Sequence, residues 1–162
     1  MKNAWVVLQS LLADQKKITD SLMERVEQLE ERIRSKARYE LFKGTCYRFS
    51  ADQKPYNESQ HTCNEEGGRL ATVKTNETHN FLTNHVRATT KAHTWIGLSD
   101  VETEGVWIWD DGTVLVGEGM WGTSEPNGGT RENCVHIYPA KDYLWNDSTC
   151  PSSYYYICEI YG

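Results

Sequence analysis

Proline is scarce, four in 162 residues, and neither proline nor glycine occurs between residues 4 and 36. A stretch of that length without a breaker is free to run as one helix. No apolar run is long enough to span a membrane. The best candidate, Trp5 to Ala13, is short and interrupted by Gln9 and Ser10. Lys2 ahead of it gives a faint leader-like look, but no small-residue cleavage site follows. The five cysteines contain no CxxC pair and no Cys/His spacing suited to zinc. Disulfides are the better reading, and they imply an oxidising, extracellular compartment, so a secreted chain is expected. The histidines, His61, His79, His85, His93 and His136, show no HExxH or other metal spacing, and no GxSxG occurs. No enzyme constellation is expected. A basic excess is also missing. The net charge is −6, split as +2 over residues 1–38 and −8 over the rest. An acidic domain argues against nucleic-acid binding.

What is present divides at about residue 38. Residues 1–38 read as a helical coiled-coil segment and 39–162 as one compact domain. Heptad position a holds Trp5, Leu12, Thr19, Val26 and Ile33, and position d holds Leu8, Gln15, Leu22 and Leu29. Leu11, Ile18 and Met23 widen the apolar face, which suits three strands better than two. Arg25 at g can reach Glu30 at e of a neighbouring helix, so a homotrimer is expected.

The domain reads as α+β. Residues 42–47 look like a hairpin entering a strand. Pro55 and Gly67-Gly68 bracket one helix, and Thr75 caps a second through about Val86. Strands are expected over 94–98, 106–109, 114–116, 134–138 and 154–160, with a turn at Asp111-Gly112. Between Gly117 and Arg131 lies a long loop rich in glycine and polar residues, and such loops are usually functional or disordered.

That loop and the segments after it hold a broken acidic cluster: Glu125-Pro126-Asn127, then Glu132, then Asn146-Asp147. All are hard oxygen donors, which suit calcium rather than zinc. Cys134 and Cys150 bracket the space between the last two pieces. The side chains, with the Asp147 carbonyl, offer about six oxygens, where calcium takes about 6–8. One or two positions stay open for outside oxygens. Three carboxylates around a divalent ion leave about one excess negative charge, so neutral hydroxyls fit better than an anion. Each hydroxyl would give a lone pair to the metal, accept from an Asn amide and donate to a Glu carboxylate. Vicinal hydroxyls of a sugar have that geometry.

These residues belong to a longer ordered series: Trp95-Ile96-Gly97-Leu98, Glu104-Gly105, Trp107-Ile108-Trp109-Asp110-Asp111-Gly112, Trp121, Glu125-Pro126-Asn127, Glu132-Asn133-Cys134, Trp145-Asn146-Asp147 and Tyr156-Ile157-Cys158. The series resembles the C-type lectin-like domain family over roughly residues 39 to 162. The resemblance implies two helices, antiparallel sheets and a long calcium-binding loop. It implies a principal calcium site at Glu125, Asn127, Glu132, Asn146 and Asp147 that also binds the sugar. Glu-Pro-Asn marks the family's mannose-type binders, with a cis bond before the proline. Expected ligands are glycans presenting mannose, fucose, N-acetylglucosamine or glucose. The resemblance further implies disulfides Cys63–Cys158 and Cys134–Cys150. These would stabilise the fold by roughly 4–5 and 3 kcal/mol on chain-entropy grounds. It leaves Cys46 unpaired, either buried or linked between chains. A second calcium site would use Asp100, Glu104 and Asn133, but Gly128 supplies no side chain and Asn133 no charge, so one tight ion is expected.

Rival readings are weaker. Gly117-x-Gly119-x-x-Gly122 matches a dinucleotide loop but lacks a following helix. Asp100 to Gly105 has the look of an EF-hand loop with strand-like flanks. Glu125 and Glu132 imitate a glycosidase pair. Asn57-Glu58-Ser59, Asn76-Glu77-Thr78 and Asn146-Asp147-Ser148 match the glycosylation sequon, the last at odds with a calcium role. A protein-binding domain in which calcium only orders the loop is the main alternative.

Overall fold

The structure, a computed structural model, describes residues 2–36 and 39–160, with side chains over 3–29 and 39–160. The chain divides into two compact units at residues 38 and 39. The first is a single helix, α1 (Lys2–Lys36). Trp5, Leu8, Leu12, Leu22, Val26 and Leu29 are all more than half exposed along it, and Leu11, Ile18 and Met23 flank them in the open. At the polar middle of the stripe, Thr19 Oγ1 donates back to the Gln15 carbonyl at 2.9 Å. The side chains of Glu30 and Ile33, and with them the expected Arg25–Glu30 pairing, lie outside the described residues. Among the described residues no helix is long and apolar enough to cross a membrane.

The second unit is built on a mixed sheet. Its strands are β1 (Tyr39–Phe42), β2 (Thr45–Phe49), β3 (Gly68–Leu70), β4 (Thr94–Ser99), β5 (Ile108–Trp109), β6 (Cys134–Tyr138), β7 (Leu144–Ser148) and β8 (Tyr155–Ile160). The order is β1-β2-β8-β4-β6-β7, with β3 on β8 and β5 on β4. The expected sheets were antiparallel throughout, but β4 and β8 run parallel. Such a pair needs a long crossover, and the loop and strands between them provide it. Helices α2 (Tyr56–Glu65) and α3 (Asn76–Ala88) lie where proline and glycine, and the Thr75 cap, place them. Thr75 Oγ1 accepts the Thr78 N–H at 3.1 Å.

Two strand expectations change. Residues 114–116 form no strand: Val114 makes one bridge to Ile108 and Val116 is 91% exposed. Asp111 captures the turn by accepting both the N–H and the hydroxyl of Thr113, at 3.0 and 2.6 Å, and Thr113 and Leu115 pair back across it, to Trp109 and Trp107 at 2.8 Å. Conversely, β7 and β3 were not foreseen. Asn and Asp disfavour strands, yet β7 alternates, burying Trp145 and Asp147.

The core holds Trp95, Ile96, Leu98, Trp109, Val135, Ile137, Trp145 and Ile157, while Trp107 and Trp121 are only partly covered. Gly97 leaves room for a close crossing, since a Cβ there would sit 2.9 Å from that of Asp110. The Asp110 carboxylate accepts the Leu70 N–H at 2.8 Å and the Gln60 amide at 2.6 Å, joining β3 and α2 to the turn. Disulfides Cys63–Cys158 and Cys134–Cys150 form, and Cys46 is free and half-buried in β2.

His79 is buried beside Trp145, ring centroids 6.2 Å apart, and its Nδ1 has no partner. Burial pushes its imidazole below the ordinary 6.5. The unfolded chain therefore takes up a proton that the folded one resists, and stability falls as pH drops below about 6.5. Thermal melting in chelator across that range is expected to show the fall. His79→Leu is expected to make the fall shallower, the remainder coming from His93 and His136, which burial lowers in the same way.

Candidate calcium and sugar site

The site rests on the β6–β7 ladder, which sets Val135 opposite Asp147 and His136 opposite Asn146. The Cys134–Cys150 bond, Cα atoms 5.2 Å apart, closes this hairpin at its base. The long loop is laid on β7 by backbone bonds. Trp145 N–H donates to the Met120 carbonyl and Gly122 N–H to that of Trp145, both at 2.8 Å. A cis bond joins Glu125 to Pro126. The chain then meets Asp147, which is 1% exposed. Its carboxylate accepts the Asn127 N–H at 3.1 Å to each oxygen and the Gly128 N–H at 2.8 Å. Two N–H groups on one carboxylate fix the loop's tip relative to the strand.

Gly128, read in the sequence as a missing ligand, is there for room. Its φ of −80° suits any residue, but an added Cβ would overlap the Glu132 side chain. Glu132 thus lies directly over the stretch that Asp147 anchors. Asn146 extends its amide to the Asp147 carbonyl and stands 3.3 Å from Nε2 of buried His136. Glu125, its side chain 1% exposed, pairs one carboxylate oxygen with the Lys141 ammonium, while the other, Oε2, is buried without a partner. A bare buried carboxylate oxygen is costly and invites a cation. Among the described residues no three His, Cys, Asp or Glu side chains converge tightly enough to hold a metal by themselves. Asn127, Glu132, Asn146 and Asp147 are thus linked through Gly128 and the Asp147 backbone, while Glu125 is held by Lys141.

The residues of the second candidate site are neighbours too. Asp100 is 3% exposed and its N–H donates to the Asn133 carbonyl at 3.1 Å. Asp100 Oδ2 accepts the Gly105 N–H at 2.8 Å, whereas Asp100 Oδ1 and Asn133 Oδ1 are both buried and unpartnered. Burial first, and the nearby Asp147 charge less strongly, hold the Asp100 carboxyl above its ordinary 3.8 against the bonds that lower it. Glu104 reaches to within 3.8 Å of where a Gly129 Cβ would stand. These residues follow β4 in a bend, not between helices, so the EF-hand likeness has no structural support. Nor does the glycine-rich 117–122 stretch lead into an α-helix.

Two of the histidines share an aromatic cluster beside Asn146. His93 and His136 stack with Tyr138 and Tyr154, Tyr156 is core, and Tyr143 packs under Arg87. The sequence reading missed Lys141. It lies 16 residues beyond Glu125, with no periodicity to link them.

Comparison with known proteins assigns the fold's class. The model of the lectin C-type domain matches residues 52–160, and the chain belongs to that family. A mouse protein described as C-type lectin domain family 4 member F is 39% identical over 129 residues, 75% of this chain and 22% of its own length. A solved structure described as the trimeric Kupffer cell C-type lectin receptor Clec4f is 34% identical, with a TM-score of 0.69 over 88% of this chain and 95% of its own. The cow carbohydrate-recognition domain of CD23, solved in the presence of a GlcNAc2Man3 oligosaccharide, is 31% identical, with a TM-score of 0.68 over 77% and 94%. The chain spans between about a fifth and a half of the first curated relatives. This family consists in general of binding proteins rather than enzymes.

The Gly128 packing yields a test. Gly128→Asp, which on paper adds a ligand to the second site, is expected to displace Glu132 and cost about 1–3 kcal/mol, as overpacking does. Thermal melting and calcium titration of Gly128→Ala and Gly128→Asp are expected to show both variants weaker than the parent.

Proposed function

We propose that the chain is a calcium-dependent lectin for mannose-type sugars, secreted and presented as a homotrimer. One observation carries the metal reading: Glu125 Oε2 is a buried carboxylate oxygen without a partner, in a loop anchored on Asp147. Glu125, Asn127, Glu132, Asn146 and Asp147 would hold the principal calcium. Bound there, calcium supplies a Lewis-acidic contact for two vicinal hydroxyls. The same Asn amides donate to those hydroxyls and the Glu carboxylates accept from them. Asp100, Glu104 and Asn133 support a second, weaker cation, because two of their oxygens are buried without partners. The oligosaccharide named for the CD23 structure contains mannose, which favours this sugar class. Gly128, Gly129, Thr130 and Arg131, which make the 3-10 turn and its cap, would shape secondary contacts.

The trimer reading rests on the exposed apolar stripe of α1 and on the trimeric description of the Clec4f structure. A single site engaging two hydroxyls binds weakly, and three linked sites raise avidity where the target's spacing matches. Light scattering is expected to give about three chain masses, and a chain starting near residue 38 one.

Retention on mannose resin is expected in calcium and lost in chelator. Glu125→Gln with Asn127→Asp exchanges donor and acceptor sides and is expected to shift preference towards galactose. Protons compete with calcium for Glu125, Glu132 and Asp147, so acidification is expected to release sugar reversibly. The midpoint should move to lower pH as calcium rises. A midpoint indifferent to calcium would assign the pH effect to another group. In the alternative reading, calcium orders the loop for a protein partner, and chelator then changes folding without any sugar signal.

A further inference from the structure

Lys141 ends a short 3-10 turn, Pro139–Lys141, between β6 and β7. Asp142 and Tyr143 after it both have positive φ, 54° and 63°, so the chain doubles back there. The lysine stem is thrown across Gly122, where an added Cβ would stand 2.8 Å from Lys141 Cδ. The ammonium then reaches Glu125 Oε1 and donates to the Thr123 carbonyl at 3.3 Å. This is not a solvated surface pair. The lysine side chain is 29% exposed and the glutamate 1%. Removing one partner of such a pair leaves a charge with little solvent to cover it.

The arrangement is half complete. One Glu125 oxygen is met by an ammonium, the other by nothing. An incoming divalent ion would find that bare oxygen, and would also meet a positive charge on the same carboxylate. Like charges this close repel strongly where water is scarce. Lysine suits the role, being a compact point charge on a flexible stem that can swing aside.

We propose that Lys141 sets the calcium affinity of the site: its ammonium is the counter-charge of Glu125 in the metal-free protein and opposes entry of the ion. This rests on the calcium reading of Glu125. It adds a residue that belongs to neither the metal shell nor the sugar contacts. The metal-free loop stays ordered, and calcium is held less tightly than the donor set alone would hold it. A lectin of this kind would release calcium and sugar at calcium levels where its lysine-free form stays loaded.

The test uses the full chain and three variants, Lys141→Met, Lys141→Arg and Lys74→Met. The last breaks the Lys74–Asp111 pair outside the site. Calcium affinity is read by titration calorimetry, and metal-free stability by melting in chelator. Lys141→Met is expected to bind calcium about tenfold more tightly, the scale of removing a nearby like charge. In chelator it is expected to melt about 3 °C lower. Lys141→Arg keeps the charge and is expected to stay close to the parent. Lys74→Met is expected to leave calcium affinity unchanged. Unchanged or weaker calcium binding by Lys141→Met overturns the proposal, because a lysine that only positions Glu125 would help the ion. If the parent binds no calcium, the functional reading fails with it. A parent that binds calcium while Lys141→Met does not gain affinity fails this inference alone.

Discussion

The carboxylate of Asp147 is the fixed point of this domain. It sits buried on β7 and takes the backbone N–H groups of Asn127 and Gly128. Hydrogen bonds to a charged acceptor are worth about 1.5–3 kcal/mol each, enough to hold a loop that has little core of its own. They fix the tip of the stretch from Gly117 to Arg131, whose first half is held separately by the backbone bonds of Met120 and Gly122 to Trp145. The strand under Asp147 is held in turn by its ladder to β6 and by the Cys134–Cys150 bond. Rigid hairpin, anchored loop and donor set are thus one construction, and the geometry of any bound ligand follows from where β7 places one side chain.

Electrostatics explain why such a site is built with so much unsatisfied oxygen. Glu125 Oε2, Asp100 Oδ1 and Asn133 Oδ1 are all buried without partners. A domain with a −8 balance over residues 39–162 gathers these acceptors at its loops, and that arrangement favours cations. The unsatisfied groups are a standing cost that a divalent ion would offset. Lys141 brings a cation to Glu125, and it meets only one of the two carboxylate oxygens. On the proposed reading, metal-free order and metal affinity are in opposition at a single carboxylate.

Much of this was legible in the residues. The oxygen-donor types, their order and the bracketing cysteines pointed to the candidate site, and breakers and caps marked α2 and α3. What stayed hidden has physical reasons. Strand β7 is made partly of Asn and Asp, which local preference assigns to turns, and only pairing with β6 makes it a strand. Gly128 read as a missing ligand because a sequence does not show that Glu132 fills the space beside it. The Val114–Val116 run looked like a strand because β-branched residues favour one, but it pairs only briefly and leaves both valines exposed while Leu115 packs on the core. Lys141 and Glu125 meet only through the three-dimensional path of the loop. On α1 the heptads predicted the apolar stripe, and the helix displays it in the open.

The account stands most directly on whether sugar recognition runs through a calcium held by the loop. A glycan array probed once with calcium and once with chelator measures this. The account predicts signal on glycans presenting mannose, fucose, N-acetylglucosamine or glucose with calcium present, and none with chelator. Signal on those glycans that persists in chelator, or no glycan signal in calcium from a folded chain, would contradict it.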